Sequence, residues 1–175
     1  MDFNNIRKIL ILRGEGALGD AVISSFIFRE IKKQYPNIKI DAVAFGACAD
    51  YYSKNNYIDN LYRLPIRNKI RSYQHWPELM WEAFKLRLKK YDLVVDSSNK
   101  TSINWHAFKW LCSKKNGLFD IRHNNGIFGD FTKHRVIHEK LVFENIGLTN
   151  LNTNYDIYST DEANESIINW KSSNK

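Results

Sequence analysis

Long hydrophobic runs are missing from this chain: uninterrupted apolar stretches such as Ile9–Leu12 and Ala42–Phe45 are four residues long. A helix needs ~20 apolar residues to cross a bilayer, so no segment reads as a membrane span. The opening residues, Met1-Asp2-Phe3-Asn4-Asn5, lack the basic and apolar regions of a secretory signal. Cysteine is scarce. Cys48 and Cys112 are the two present, too few and too ordinary in context for a disulfide framework or a metal site. A reduced cytoplasmic setting is expected, in which the sequons at Asn99 and Asn164 carry no meaning. Internal repeats and low-complexity tracts are absent.

What is present is enough for one good core. A chain of 175 residues with 43% apolar residues predicts a single domain. Charge is unbalanced, with a net +7. Between Arg63 and Lys90 stand eight basic residues against Glu78 and Glu82, so that segment alone carries +6. Such a concentration predicts an anionic partner: nucleic acid, a phosphorylated glycolipid or an acidic membrane face. Lys85 to Lys90 fall in a helical pattern and read as a solvated helix face. Arg67, Lys69 and Arg71 fall in a loop, where binding residues concentrate.

The densest chemical signal is Ile9-Leu10-Ile11-Leu12-Arg13-Gly14-Glu15-Gly16-Ala17-Leu18-Gly19-Asp20. Four aliphatic residues bounded by charge and glycine predict a strand buried on both faces. Gly14, Gly16 and Gly19 then form a strand-to-helix turn, where the backbone can approach a ligand and a helix N-terminus presents unpaired N–H groups. Asp20 falls in the first helical turn, either as partner to the helix dipole or as a catalytic base. The glycine spacing also fits a dinucleotide fingerprint. That fingerprint requires an acid at the far end of the second strand, and here Asp41 stands near its beginning, while Ala44-Phe45-Gly46-Ala47 ends it. A first helix running to about Tyr35 is also long for that unit. Both points argue against NAD or FAD.

The remaining pattern alternates. A second strand is expected over Ile38–Phe45, a short helix around Ala47–Ser53, and a third strand near Asn60–Leu64. Pro65 closes that strand, and Pro77 starts a helix over Glu78–Lys90 with a broad apolar stripe that includes Leu79, Ala83, Leu86, Met80, Phe84 and Leu88. Leu93-Val94-Val95 is the fourth strand, ending in Asp96-Ser97-Ser98-Asn99. A helix over Ser102–Ser113, a strand near Gly117–Ile121, a polar loop from Arg122 to about Lys133 and a helix from His138 to Ile146 follow. The alternation predicts a three-layer α/β domain with a parallel sheet ordered 3-2-1-4-5. Ligands would meet its carboxyl edge, at Gly14–Asp20, Gly46–Ala49, Asp96–Asn99 and Arg122–Asn125.

Several of these pieces, in order, resemble family 9 glycosyltransferases, the ADP-heptose:lipopolysaccharide heptosyltransferases. Lys8–Arg13 with Gly16-Ala17-Leu18-Gly19-Asp20 is similar to the family's opening, and Leu18 through Tyr35-Pro36 to its first helix. Ile40-Asp41-Ala42-Val43, Asn56-Tyr57-Ile58-Asp59-Asn60, Leu64-Pro65 and Lys90–Asp96 match further landmarks, as do His138, Leu141 and Ile146-Gly147-Leu148. The resemblance spans residues 7–148. It implies a Rossmann-like sheet forming one half of a GT-B arrangement, in which residues 1–160 are the acceptor-side domain and 161–175 a polar helix or tail where an interdomain segment begins. The implied activity is heptose transfer from a nucleotide-sugar such as ADP-heptose to the lipopolysaccharide inner core, without a metal or other cofactor. The implied base is Asp20. Gly16, Gly19, Arg67, Lys69, Arg71 and Arg122 are the implied substrate-binding residues, the arginines gripping phosphates or acidic sugars. His123 stands beside Arg122, and His106 reads as an ordinary packed or surface histidine. Implied partners are an anionic glycan acceptor and the inner membrane surface, with no nucleic acid.

Two departures qualify the likeness. Asp96-Ser97-Ser98-Asn99-Lys100-Thr101-Ser102 replaces the family's usual turn after the fourth strand. The second, nucleotide-binding domain lies outside the chain, so a donor would be bound by a domain supplied elsewhere. The alternative is a non-catalytic module that binds an anionic glycolipid or a partner protein.

Overall fold

Alternation along one strand sets the architecture. In β1 (Lys8–Leu12) the four residues Ile9 to Leu12 are at most 2% exposed. Ile9 and Ile11 enter one apolar cluster while Leu10 and Leu12 enter a second. Both faces of the sheet are therefore covered. The computed structural model describes residues 3–14, 17–64, 75–96, 103–113, 118–120 (backbone only) and 135–156.

Among the described residues, α1 (Leu18–Gln34), β2 (Lys39–Ala44), α2 (Gly46–Tyr52) and β3 (Asn60–Arg63) follow β1. Next come α3 (Trp76–Leu88), β4 (Leu93–Asp96), α4 (Ile103–Cys112), β5 (Leu118–Asp120) and α5 (Arg135–Asn145). All five strands are parallel and ordered β3-β2-β1-β4-β5, the order expected from the sequence. β1 is central, with Leu12 opposite both Val43 and Asp96. Residues of α1, α2 and α5 cover one face, and residues of α3 and α4 the other. Element limits move by a residue or two, except that α5 starts at Arg135, most of a turn before His138.

One helix is sorted differently from its pattern. In α3 the buried residues are Leu79, Ala83 and Leu86, whereas Trp81, Phe84 and Leu88 are 61%, 42% and 63% exposed. The apolar stripe is wider than the part of it that is buried. Lys85, Arg87, Lys89 and Lys90 are exposed, as a solvated face requires.

Buried and half-buried carboxylates fix the strand starts. Asp92 accepts the backbone N–H groups of Arg7 and Lys8 at 3.0 Å. Asp41 is fully buried and accepts from Tyr91 Oη (2.6 Å) and Asn60 Nδ2 (2.8 Å), with Lys8 Nζ at 3.6 Å. Burial, then the Asp41 charge, pushes the Tyr91 phenol far above its ordinary value. Asp41 is thus spent on packing early in β2, away from any ribose position at the carboxyl edge.

Asp59 accepts from Lys32 Nζ (2.8 Å) and from the Ile40 N–H (2.7 Å). Burial acts to raise its pKa, but these bonds and the lysine charge outweigh it and hold the carboxyl below its ordinary value. A depressed folded pKa contributes stability above the unfolded pKa, lost as pH falls through the folded one. Because the Asp59 side chain is 35% exposed, Asp59→Asn is expected to cost less than ~1 kcal/mol at pH 7. Urea melts at pH 7 and pH 3 should show that difference shrinking in acid.

Candidate active site at the carboxyl edge of the sheet

Arg13 follows β1 and continues its ladder, its N–H donating to the Val43 carbonyl at 2.9 Å. The side chain is 1% exposed. Such a burial of charge requires a partner, and α5 supplies it: Arg13 Nη1 meets Glu139 Oε1 at 2.7 Å. Arg135 Nη2 reaches the same oxygen at 3.3 Å. From its other nitrogen, Nη2, Arg13 donates to the backbone oxygen of Asp20 at 3.3 Å. One guanidinium therefore ties the end of β1, the first turn of α1 and the first turns of α5.

The space around this group, lined by Ile11, Ser24, Tyr52, Glu139 and Phe143, is too tight to admit water. Ser24 Oγ and Tyr52 Oη share a bond of 2.5 Å there, and Ser24 Oγ also donates to the Asp20 carbonyl at 2.8 Å. Burial drives the Tyr52 phenol well above its ordinary value, against the pull of the Arg13 charge. Arg13 is a brace for the α1 turn rather than a ligand contact.

Asp20 lies in the first turn of α1, at the carboxyl edge of the sheet, and is partly exposed. Its backbone carbonyl is doubly engaged by Arg13 and Ser24, but no described group hydrogen-bonds its carboxylate. The helix begins on Ala17, which offers no side-chain cap, so the first N–H groups lack a side-chain acceptor. A carboxylate in that turn complements the dipole and stays free to take a proton. A Cβ built on Gly19 would meet nothing within 4 Å. The ground beside Asp20 is open, and packing does not dictate the glycine.

Asp96 closes β4 on the same edge and is fully buried. It accepts from Trp105 Nε1 and from Lys109 Nζ, each at 3.1 Å. Lys109 is 2% exposed, so the pair forms a second braced point beside β1, opposite Leu12. Trp105 and Lys109 stand four apart on one face of α4, a spacing visible in the sequence. Arg13, Glu139 and Lys109 were absent from the site expected on sequence. The available signal was a charge set between an apolar run and a glycine turn. His106 is partly exposed on α4.

Of the expected site, the structure places Asp20 and Gly19. Gly16, Arg67, Lys69, Arg71, Arg122 and His123 lie outside the described residues, as do Ser97–Ser102 and the tail 161–175. Among the described residues no group of three or more His, Cys, Asp or Glu is placed to hold a metal ion. None of the described helices is long and apolar enough to cross a membrane.

No protein-family model matches the sequence, and no curated protein does. Solved structures do match. A family 9 glycosyl transferase from Veillonella parvula DSM 2008 superimposes with a TM-score of 0.73 at 18% identity, over 99% of this chain and 51% of that one. An E. coli heptosyltransferase solved with ADP gives a TM-score of 0.54 at 16% identity, over 84% of this chain and 51% of its own. The chain spans about half the length of each. These likenesses establish its fold: a Rossmann-like three-layer domain of the kind that makes up one half of a GT-B arrangement.

Proposed function

We propose that this chain is the acceptor-side domain of a family 9, heptosyltransferase-like glycosyltransferase, with Asp20 as the general base. The observation that carries the reading is the contrast within one residue: the Asp20 backbone is clamped by Arg13 and Ser24, while its carboxylate is unclaimed by any described group. A base needs a fixed position and a free lone pair, and this arrangement provides both. The likeness of fold and the motif from Gly16 to Asp20 support it.

In the proposed reaction an acceptor sugar hydroxyl attacks the anomeric carbon of a nucleotide-sugar such as ADP-heptose. The new C–O bond forms as the bond from that carbon to the diphosphate breaks. The electron pair leaves with the nucleotide, and the hydroxyl proton passes to Asp20. No metal or other cofactor is part of the proposal. Gly16 and Gly19 give the acceptor access to the turn, and Arg67, Lys69, Arg71 and Arg122 hold phosphates or acidic sugars of a lipopolysaccharide core by charge-assisted bonds. The setting proposed is the cytoplasmic side of the inner membrane, with the donor held by a second domain.

Catalysis requires donor and acceptor in near-attack geometry. Incubated alone with ADP-heptose and a truncated core acceptor, the chain is expected to give no turnover, and a donor-binding domain supplied in trans should restore it. Turnover by this chain alone would refute the division of labour. Tight acceptor binding with no turnover in the presence of the donor domain would favour a purely binding module.

A further inference from the structure

A hollow opens at the amino edge of the sheet, where α1 ends and β1 and β2 begin. Its volume is about 340 Å³, at the lower end of the ~300–1,000 Å³ that small-ligand sites occupy. Gln34, in its wall, is the last residue of the helix that carries Asp20 in its first turn. At a rise of ~1.5 Å per residue the hollow lies ~20 Å from the proposed base. It is a separate place on the molecule.

The floor is apolar and fixed. Phe3, Ile6 and Ile38 line it and are 2%, 8% and 3% exposed. Phe3 stacks on one face of the half-buried Tyr35 ring, with centroids 5.1 Å apart. The Tyr35 N–H donates to the Ile31 carbonyl at 2.8 Å, and the Ile38 N–H to the Tyr35 carbonyl at 3.1 Å. Gln34 exchanges two bonds with the Thr149 backbone, at 2.8 and 3.2 Å. Asp92 holds the Arg7 N–H at 3.0 Å. A site ordered in advance loses little affinity to ordering.

The rim narrows the choice of ligand. Arg7 is the one charged residue that lines the hollow, and no acid lines it. Among the described residues, none hydrogen-bonds the Arg7 guanidinium, the Tyr35 hydroxyl or the Asn37 amide. A guanidinium fork takes a phosphate in bidentate fashion. An amide and a phenol both donate and accept, which suits sugar hydroxyls. With Phe3 on one side, Tyr35 has one ring face to offer, and the C–H face of a pyranose can pack flat on it.

We infer that this hollow binds a phosphorylated pyranose, its phosphate on Arg7, its C–H face on Tyr35 and its hydroxyls on Asn37 and the Tyr35 hydroxyl. The site stands whether or not the carboxyl edge transfers sugar.

Amide NMR titration of the chain with glucose 6-phosphate, glucose and inorganic phosphate tests it without donor or acceptor, so its failure leaves the reading of Asp20 untouched. Glucose 6-phosphate should shift the amides of Arg7, Tyr35, Asn37 and Ile38 saturably. It should bind at least ~5-fold more tightly than glucose or phosphate, since each of those lacks one set of bonds. Arg7→Gln keeps the backbone bond to Asp92 and should weaken binding ~10-fold or more, the scale of a charge-assisted bond. Asn37→Ala should weaken it ~3–10-fold. Arg63→Gln, at an exposed arginine on the other edge, should leave it unchanged. A phosphorylated disaccharide separates two sources of the sugar: binding at least as tight marks the end of a longer glycan, weaker binding a free sugar phosphate, and both support the site. The inference is overturned if the shifts map to the turn around Asp20 instead, if phosphate alone binds as tightly as the sugar phosphate, or if Arg7→Gln binds like its parent.

Discussion

Asp20→Asn in the chain complemented by a donor domain is expected to slow transfer by ~10²–10⁴-fold, the usual contribution of a general base. The substitution keeps size and hydrogen-bonding reach but cannot accept a proton. Both bonds to the Asp20 residue run to its backbone oxygen, so the brace survives and thermal stability should change little. The dipole role alone is worth about 0.3–1 kcal/mol of helix stability and nothing specific to the transition state. The measurements are kcat/KM for both proteins across pH, with melting curves alongside. A base predicts that the acidic limb of the profile disappears in the variant. A rate loss under about fivefold with that limb intact would assign Asp20 to the helix dipole, since a positioned base contributes far more.

The largest stability effect is expected at the brace. Glu139→Leu removes the carboxylate that meets both the buried Arg13 guanidinium and Arg135. Breaking one side of a buried pair costs ~3–5 kcal/mol. For a chain of this size each kcal/mol lowers Tm by ~2–4 °C, so a fall of roughly 6–20 °C is expected. Arg13→Met/Glu139→Leu removes both charges and should lose less than either change alone, the non-additivity that marks a contacting pair. Hydrogen exchange in the first turn of α1 should quicken in the single variant. If Glu139→Leu melts within a degree or two of the parent, the pair is not the brace described above.

Much of the architecture was legible because strand burial is written in composition. Ile9–Leu12 and Leu93–Val95 can only sit where both faces are covered, and right-handed crossovers then leave few strand orders. Pro77 marked the start of α3 for the same local reason. The orientation of α3 was not legible: Leu79, Ala83 and Leu86 and the row Met80, Phe84 and Leu88 have nearly the same helical spacing and differ by one residue's rotation. Leu79, Ala83 and Leu86 face the core with Met80 packed partly against it, an outcome set by the tertiary packing of α3 on the sheet and α4. The site divides likewise. Asp20 was readable from its turn, whereas Glu139 joins Arg13 across 126 positions and no local pattern announces it. Asp96 lies between: its place at a strand end was visible, its lysine partner only through the spacing of Trp105 and Lys109.

The distance between Arg13 and Glu139 also has a meaning in time. At ~5–20 residues per second of synthesis, Arg13 is made about 6–25 s before Glu139, its partner on α5. Through that interval β1 can find β2 first and β4 later, but the turn carrying Asp20 is not yet tied to α5. A nascent chain stopped short of α5 would hold its central strands but lack the Glu139 side of the brace beneath Asp20. Quality control that senses exposed charge near the start of the chain would have its longest opportunity here, before α5 closes over Arg13.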